Sequence, residues 1–256
     1  MSRLQIHQIP VLQDNYVYLL HEAESGATGV VDPAVAKPVL AEAERLGWRI
    51  THILNTHHHG DHVGGNKEIV AATGCTVIGA RVDRARIPCI GIEVEEGDRV
   101  RLGEAEAEVF FIPGHTSGHI AFWFAEDRAL FCGDTIFALG CGRLVEGTPR
   151  DMWPSLEKLR RLPDDARVFC AHEYTAANFA FARTVETGNT ALMARGERVL
   201  AARAKGERTV PSLLGEEKAT NPFLRADLPS LAAAVGMAGR DPVSVFAEVR
   251  SRKDNF

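Results

Sequence analysis

Residues 55–65 read NTHHHGDHVGG and place four histidines and an aspartate in one short segment. The segment overlaps ITHILN (50–55), an apolar and β-prone run, so the histidines are predicted to follow a strand and open a loop. Purification tags lie at chain termini, whereas this run is internal. A metal-binding loop and a polar loop without a task are the two interpretations, and the rest of the chain decides between them.

The spacing of the histidine run suits metal ligation. Alternate side chains of an extended segment share a side, so His57 and His59 can point together while His58 points away. Asp61 and His62 follow where the next helix is predicted to begin. The pattern H-x-H-x-D-H therefore offers ligands to two adjacent metal ions more easily than to one.

Three later candidates share one sequence context with this run. Each follows an apolar, strand-like stretch that ends in a small residue, and the ends of several strands in one sheet can converge on one site. They are His115 in IPGHTSGH (112–119), Asp134 in FCGDT (131–135) and His172 in FCAHEY (169–174).

The seven candidates predict a dinuclear metal centre. Imidazole and carboxylate donors without thiolate suit zinc, iron or manganese and do not separate them, and we expect two divalent ions. Two close ions lower the pKa of a shared water and polarise a carbonyl or phosphoryl oxygen, which is the chemistry of a hydrolase. We assign His57, His59 and His115 to the first ion, Asp61, His62 and His172 to the second, and Asp134 to a bridge, with Asp61 and Asp134 orienting the hydroxide.

The order of predicted elements indicates a layered α/β domain followed by a small C-terminal helical domain. The expected boundary separates residues 1–172 from 173–256, because Ala, Arg, Glu and Leu dominate 175–205 and favour helix. A Pro-containing segment (209–229) and further helix complete the chain. Predicted strands are 4–9, 16–20, 28–32, 50–55, 76–80, 106–112, 120–124, 129–133 and 166–171, and predicted helices are 36–47, 62–74 and 152–162.

Composition narrows the class of protein. The chain has 256 residues, 45% of them hydrophobic and 25% charged, with a formal net charge of -5 and no basic tract, so nucleic acid is not an expected partner. The five cysteines contain no CxxC pair, which favours a reducing compartment over a disulfide framework. The opening MSRLQIHQIP lacks the apolar core of a secretory signal, and no apolar run is long enough to span a bilayer. We expect a cytoplasmic monomer without a membrane partner.

The motifs resemble those of a known superfamily. THHHGDH, GHTSGH, GDT and AHEY, in this order over residues 14–174, resemble the metallo-β-lactamase superfamily, which implies an αβ/βα sandwich with metals at one edge of its two sheets. Further segments resemble the glyoxalase II, or hydroxyacylglutathione hydrolase, family from end to end. That resemblance implies hydrolysis of S-D-lactoylglutathione and related 2-hydroxyacyl thioesters to glutathione and D-lactate, the second step of methylglyoxal detoxification. The segments are LQDNYVYLL (12–20), GCGRLVEGTP (140–149), HEYTAANFAFA (172–182), NPFLR (221–225) and RSRKDNF (250–256).

The glyoxalase II resemblance also implies a glutathione site. The seven metal candidates match the family's ligands, and the family's glutathione contacts fall on Arg143, Tyr174, Arg250 and Lys253. Cationic donors and a tyrosine hydroxyl suit a peptide with two carboxylates. Position 143 is Arg where many relatives have Lys, and Val145 stands where relatives often have an aromatic residue, so one peptide contact is expected to be missing.

Several alternatives stay open on sequence alone. A mononuclear iron persulfide dioxygenase of the same superfamily would use fewer ligands and lack the extended helical region, and a non-catalytic binding protein would have lost ligands. Arg250 and Lys253 could instead form a solvated charged tail. Gly64 and Gly65 are interpreted as relaxing the packing of the ligand loop. The other histidines are interpreted as surface, strand or supporting residues: His7, His21, His52, His58 and His119.

Overall fold

The computed structural model describes residues 4–256. Residues 1–3 belong to the segment that was predicted to carry no secretory signal, and they lie outside the described part. The strands are β1 Leu4–Val11, β2 Asn15–Glu22, β3 Thr28–Val31, β4 Ile50–Leu54, β5 Thr76–Ala80, β6 Ile90–Val94, β7 Arg99–Leu102, β8 Ala105–Phe111, β9 Ile120–Phe124, β10 Ala129–Gly133, β11 Ile136–Phe137, β12 Gly140–Cys141, β13 Arg167–Cys170 and β14 Ser212–Leu213. The helices are α1 Lys37–Leu46, α2 Gly60–Val63, α3 Asn66–Thr73, α4 Pro149–Arg160, α5 Thr175–Val185, α6 Thr190–Ala204, α7 Leu214–Thr220, α8 Pro229–Ala234 and α9 Pro242–Asp254, with 3-10 turns at Arg81–Asp83 and Pro222–Leu224.

The chain forms two compact units. Unit 1 comprises Met1–Phe111 and Gly118–Gly133, and unit 2 comprises Ile112–Ser117 and Asp134–Phe256. Two segments that precede the predicted domain boundary, residues 112–117 and 134–172, therefore group in space with the C-terminal helices. These units follow spatial contacts, whereas the boundary between residues 172 and 173 follows sequence character and stays a prediction.

Unit 1 contains two groups of strands. In the first sheet the order is β1 to β6, with β1, β2 and β3 antiparallel and β3 to β6 parallel. In the second group β7 to β10 run as an antiparallel meander. The two groups pack closely, since a Cβ atom on Gly29 would lie 2.9 Å from Leu54 and 3.3 Å from Leu102, and Tyr18 meets Phe131 edge to face at 5.5 Å.

Helix α1 packs on the first sheet through an apolar stripe. Val39 and Ala43 are buried in the same apolar cluster as residues of β3, β4 and β5. Pro38 occupies the first turn, where its missing N–H costs nothing, and Gly47 ends the helix in a left-handed conformation at φ 71°. The apolar stripe of one helix thus covers the sheet that carries the histidine loop.

The prediction of one helix over residues 62–74 was wrong. The structure has two, α2 and α3, separated at Gly64 and Gly65. A Cβ atom would lie 2.5 Å from the Ala34 carbonyl oxygen at Gly64 and 2.8 Å from the Pro33 carbonyl oxygen at Gly65. The two glycines therefore permit close backbone approach, and the interpretation that they relax packing was also wrong.

Unit 2 carries short strand pairs and most of the helices. Strands β11 and β12 pair with each other, as do β13 and β14. The predicted helical stretch 175–205 is interrupted between α5 and α6, where the Asn189 side chain caps α6 by accepting from the Leu192 amide. The Pro-containing segment 209–229 holds α7 in addition to irregular chain. Over residues 4–256, none of the helices is both long and apolar enough to cross a membrane.

The nine predicted strands are confirmed with shifts of a few residues, and five strands were not predicted. Of these, β6 and β7 expose charged side chains in IGIEV and RVRL, which weakens their apolar signal. The other three strands, β11, β12 and β14, are each two residues long, which is too short for a periodic pattern.

Candidate metal centre

The histidine loop of unit 1 begins after β4 and ends in α2. His57 is fully buried, and its Nε2 lies 3.1 Å from Nδ1 of His59. The His57 and His62 ring centroids are 4.0 Å apart. The loop therefore brings three of the predicted imidazole ligands together within one unit.

Asp32 is a functional candidate that the sequence interpretation missed. It follows β3, and its carboxylate accepts hydrogen bonds from the Thr56 amide at 2.8 Å and from the Thr56 hydroxyl at 2.6 Å. The His62 Nδ1–H donates to Asp32 Oδ2 at 3.1 Å, an arrangement that fixes the imidazole and leaves Nε2 for a metal. Asp32, His57 and His62 also offer ligand atoms within 4.8 Å of one another. The signal was present in VVDP, an aspartate directly after a buried strand.

Asp61 is held beside His62. The Asn15 side-chain amide donates to Asp61 Oδ2 at 3.1 Å, and the same oxygen lies 3.7 Å from His62 Nε2. Asn15 belongs to LQDNYVYLL, which the sequence interpretation used only as a family feature. Its contact with Asp61 shows that this segment helps to position a predicted metal ligand.

Two further histidines support the loop. His58 points away from His57 and donates to buried Asp83 at 3.2 Å, and Arg86 pairs with the same aspartate. His119 stacks on His57 at 4.6 Å, and its Nδ1–H donates to the Ile120 carbonyl oxygen at 3.1 Å. Both contacts fit the interpretation of these residues as supporting residues.

In unit 2, Asp134 lies between two imidazoles. Its Oδ1 is 3.4 Å from His172 Nε2 and its Oδ2 is 3.5 Å from His115 Nε2. His115 Nδ1–H donates to the Arg143 carbonyl oxygen at 2.8 Å, which directs Nε2 toward the carboxylate. Each oxygen of one carboxylate thus faces a different predicted ligand, an arrangement that suits the predicted bridging role.

A cavity of about 500 Å³ in unit 2 gathers all four predicted glutathione contacts. Tyr174 stacks on His172 at 4.7 Å with an interplanar angle of 4°, and Phe137 packs its edge against both rings. Val145, which stands where relatives often have an aromatic residue, lines the cavity and is 58% exposed. The lining residues are His115, Asp134, Phe137, Cys141, Arg143, Val145, Tyr174, Ala177, Asn178, Arg250 and Lys253.

The C-terminal cations are not a solvated tail. Arg250 is only 5% exposed, donates to the Cys141 carbonyl oxygen at 2.8 Å and lies 5.0 Å over the Phe223 ring. Lys253 donates to the Ala177 carbonyl oxygen at 3.2 Å. Burial, and then the charges of Arg250 and Arg143, lower the pKa of Lys253. Asp254 pairs with Arg250 at 2.9 Å, so three cations and one carboxylate leave a net positive group, which suits an anionic ligand.

The cysteines contribute packing and no thiolate donors. None of the five forms a disulfide, and burial raises the pKa of Cys141 and of Cys170 to about 12. Because the thiolate is the reactive form, we expect iodoacetamide at pH 8 to label exposed Cys89 and to spare the four buried thiols. Mass spectrometry of the labelled, folded protein measures this, and rapid labelling of Cys141 would contradict it.

The residues present fit divalent metal ions. The donors are imidazoles and carboxylates, two imidazoles have their Nδ1–H fixed by an oxygen acceptor, and one carboxylate faces two imidazoles. Such oxygen and nitrogen donors suit zinc, iron or manganese. The site is therefore a candidate metal centre.

Comparisons with known proteins agree with this fold. The model of the metallo-beta-lactamase superfamily matches residues 12–172, and that of the hydroxyacylglutathione hydrolase C-terminus matches 173–256. The crystal structure of ETHE1 from Myxococcus xanthus superposes with a TM-score of 0.71 at 23% identity, covering 96% of this chain and 90% of that one. A structure of TTHA1623 in a di-iron-bound form superposes with a TM-score of 0.61 at 26% identity, covering 86% of this chain and 100% of that one.

These matches define the chain as a metal-binding hydrolase of the metallo-β-lactamase superfamily, and they confirm the predicted α/β sandwich with a C-terminal helical region. A hydroxyacylglutathione hydrolase from Methylococcus capsulatus is 63% identical over 253 residues, which cover 99% of both chains. The chain therefore belongs to the hydroxyacylglutathione hydrolase, or glyoxalase II, family.

Proposed function

We propose that the chain hydrolyses S-D-lactoylglutathione and related 2-hydroxyacylglutathione thioesters to glutathione and the hydroxy acid. The observation that carries this proposal is the cavity of unit 2, which is lined by two predicted metal ligands, His115 and Asp134, and by three cations. A thioester carbonyl near the ligands leaves the peptide carboxylates within reach of the cations. The names of the relatives support the same substrate class.

Two metal ions are part of the proposal. The proposed ligands are the imidazoles and carboxylates assigned from the sequence: His57, His59, Asp61, His62, His115 and His172, with Asp134 as the bridge. The two-sided arrangement of imidazoles around Asp134 supports a bridge, and the di-iron form of TTHA1623 supports the count of two. Zinc is the expected metal, with iron and manganese as alternatives.

The side chains of this chain have distinct tasks in the proposed reaction. The metals, when bound, supply a hydroxide nucleophile at neutral pH and a positive site for the carbonyl oxygen. Asp61, held by Asn15, and Asp134 accept hydrogen bonds and orient the attacking water. Arg143, Arg250, Lys253 and Tyr174 hold the glutathione part. A thiol with a pKa of about 8.5 leaves readily as thiolate, so no strong general acid is needed.

The test compares two thioesters of one acyl group. We expect kcat/KM for S-D-lactoylglutathione to exceed that for the lactoyl ester of a simple thiol by roughly tenfold to a hundredfold, because charge-assisted hydrogen bonds to the peptide are lost. Arg143→Ala should lower this ratio about tenfold, mainly by raising KM. Arg143 is exposed, so its removal should leave the fold intact.

A matched control is Arg198→Ala, which removes an exposed, ion-paired arginine of α6. Its ratio should equal that of the wild type. Equal rates on both thioesters would remove the peptide-binding role of the cations. No turnover of either ester by the metal-loaded protein would reject the thioesterase proposal and direct the assay to oxygen uptake with glutathione persulfide.

The proposal extends to domain division, location and assembly. The family models meet between residues 172 and 173, which supports the predicted domains. The five free cysteines support a reducing cytoplasm. We also propose that the chain works as a monomer, because one copy supplies all the assigned ligands.

A further inference from the structure

A short hairpin connects the predicted bridging ligand with the cationic part of the cavity. This site hairpin comprises β11, β12 and the turn between them, Ile136–Cys141, and all its residues are buried. It follows Asp134, and a Cβ atom on Gly142 after it would lie 1.9 Å from the Asp134 carbonyl oxygen. The returning chain thus passes directly against the backbone of the bridging ligand.

Much of the backbone of the site hairpin needs partners from elsewhere. Its two strands form a sheet of their own, so the outward-facing backbone groups have no neighbouring strand in that sheet. Buried backbone groups without a partner are costly, and native structures pair nearly all of them. The partners of the site hairpin therefore show what holds it.

Four of those partners are side chains of the C-terminal helical region. Leu139 N–H donates to Glu217 at 2.9 Å, Asn178 donates to the Ala138 carbonyl oxygen at 3.1 Å, and Arg250 donates to the Cys141 carbonyl oxygen at 2.8 Å. Asn221 donates to two carbonyl oxygens, of Phe137 at 3.2 Å and of Gly140 at 2.9 Å.

The supporting side chains form one buried network. Asn221 also donates to Glu217 at 3.1 Å, and buried Arg195 pairs with Glu217 and donates to Thr220 at 2.7 Å. Glu217 and Asn221 have no exposed surface. Buried polar networks of this kind specify a single geometry, since each member loses its partners if the geometry changes.

We propose that Asn221, Glu217 and Asn178 are positioning residues of the reaction. They fix the site hairpin, which contains Phe137 and Cys141, and through it they hold Asp134 before the hairpin and Arg143 after it. The effect on catalysis rests on the proposed function, whereas the effect on the hairpin does not. The C-terminal helices thus shape the metal-binding segment in addition to presenting cations.

Hydrogen exchange of the full-length, metal-loaded protein tests this proposal. We expect Asn221→Ala and Asn178→Ala to speed amide exchange of the site hairpin, including Leu139, by about tenfold or more, because buried hydrogen bonds of its backbone are lost. In the same variants kcat for S-D-lactoylglutathione should fall, and bound metal per chain should fall with it.

The matched control is Glu186→Gln, which weakens another ion pair of the helical region, that of buried Glu186 with partly buried Arg225. It should lower the melting temperature without changing exchange in the site hairpin. If Asn221→Ala does not fold, Asn178→Ala carries the test, because alanine favours the middle of α5. Wild-type exchange of the hairpin in Asn178→Ala would overturn the proposal. A wild-type protein without thioesterase activity would reject the proposed function and leave the exchange result standing.

Discussion

Asp134→Ala is expected to lower kcat/KM for S-D-lactoylglutathione by roughly a thousandfold or more and to reduce bound metal to one ion per chain or fewer. The reason is that both oxygens of Asp134 face predicted imidazole ligands, at 3.4 and 3.5 Å, so its removal weakens both proposed metal positions. Loss of the metals removes the nucleophile and the positive site for the carbonyl oxygen together. Elemental analysis and steady-state kinetics measure the two effects, and His172→Ala should change both in the same direction.

The control for Asp134 is Asp127→Asn, another buried aspartate, whose carboxylate accepts a hydrogen bond from the Leu4 amide. It should keep its metal and most of its activity at a cost in stability. Metal content and rate that remain at wild-type values in both Asp134→Ala and His172→Ala would remove the dinuclear assignment.

The second large effect is expected at Asp32. Asp32→Ala leaves the buried Thr56 amide and hydroxyl without their acceptor and His62 without the partner of its Nδ1–H. We expect a loss of about 3–5 kcal/mol in the free energy of unfolding, in the range found when one partner of a buried charged group is removed. Asp32→Asn keeps the shape and should lower metal affinity about tenfold to a hundredfold, as changes behind a metal-ligating histidine do. Urea denaturation and metal titration with a competing chelator measure these effects.

Asp83→Asn is the matched control for Asp32→Asn. Asp83 is fully buried and accepts from a histidine of the same loop, but that histidine is His58, which is not a predicted ligand. This variant should lose stability and retain metal affinity. Equal loss of metal in both asparagine variants would show that Asp32 acts only by supporting the loop.

The metal candidates were predictable because each carries a local signal. His115, Asp134 and His172 follow apolar runs that are strands or lie beside them, and a strand end is visible in sequence as a change from apolar to small and polar residues. Asp32 has the same signal, but one aspartate before a proline is also a common turn, so the pattern did not distinguish it.

Other features depend on partners that are remote in sequence. Asn221 contacts a hairpin more than 80 residues away, which no periodicity or spacing encodes. From the sequence alone, Arg250 could belong to a solvated charged tail, and only its packing over Phe223 shows that it is buried. Gly64 and Gly65 were interpreted as relaxing the packing, because the sequence around them does not show that the backbone of Pro33 and Ala34 lies against them.

The close approach at this pair of glycines has a consequence for engineering. The Gly65 amide donates to the Pro33 carbonyl oxygen at 2.7 Å, directly after Asp32, which fixes Thr56 and His62. The histidine loop and the segment 32–36 therefore depend on each other for their conformation. A designer who moves the HxHxDH loop to another scaffold needs to move the aspartate segment with it and keep both glycines.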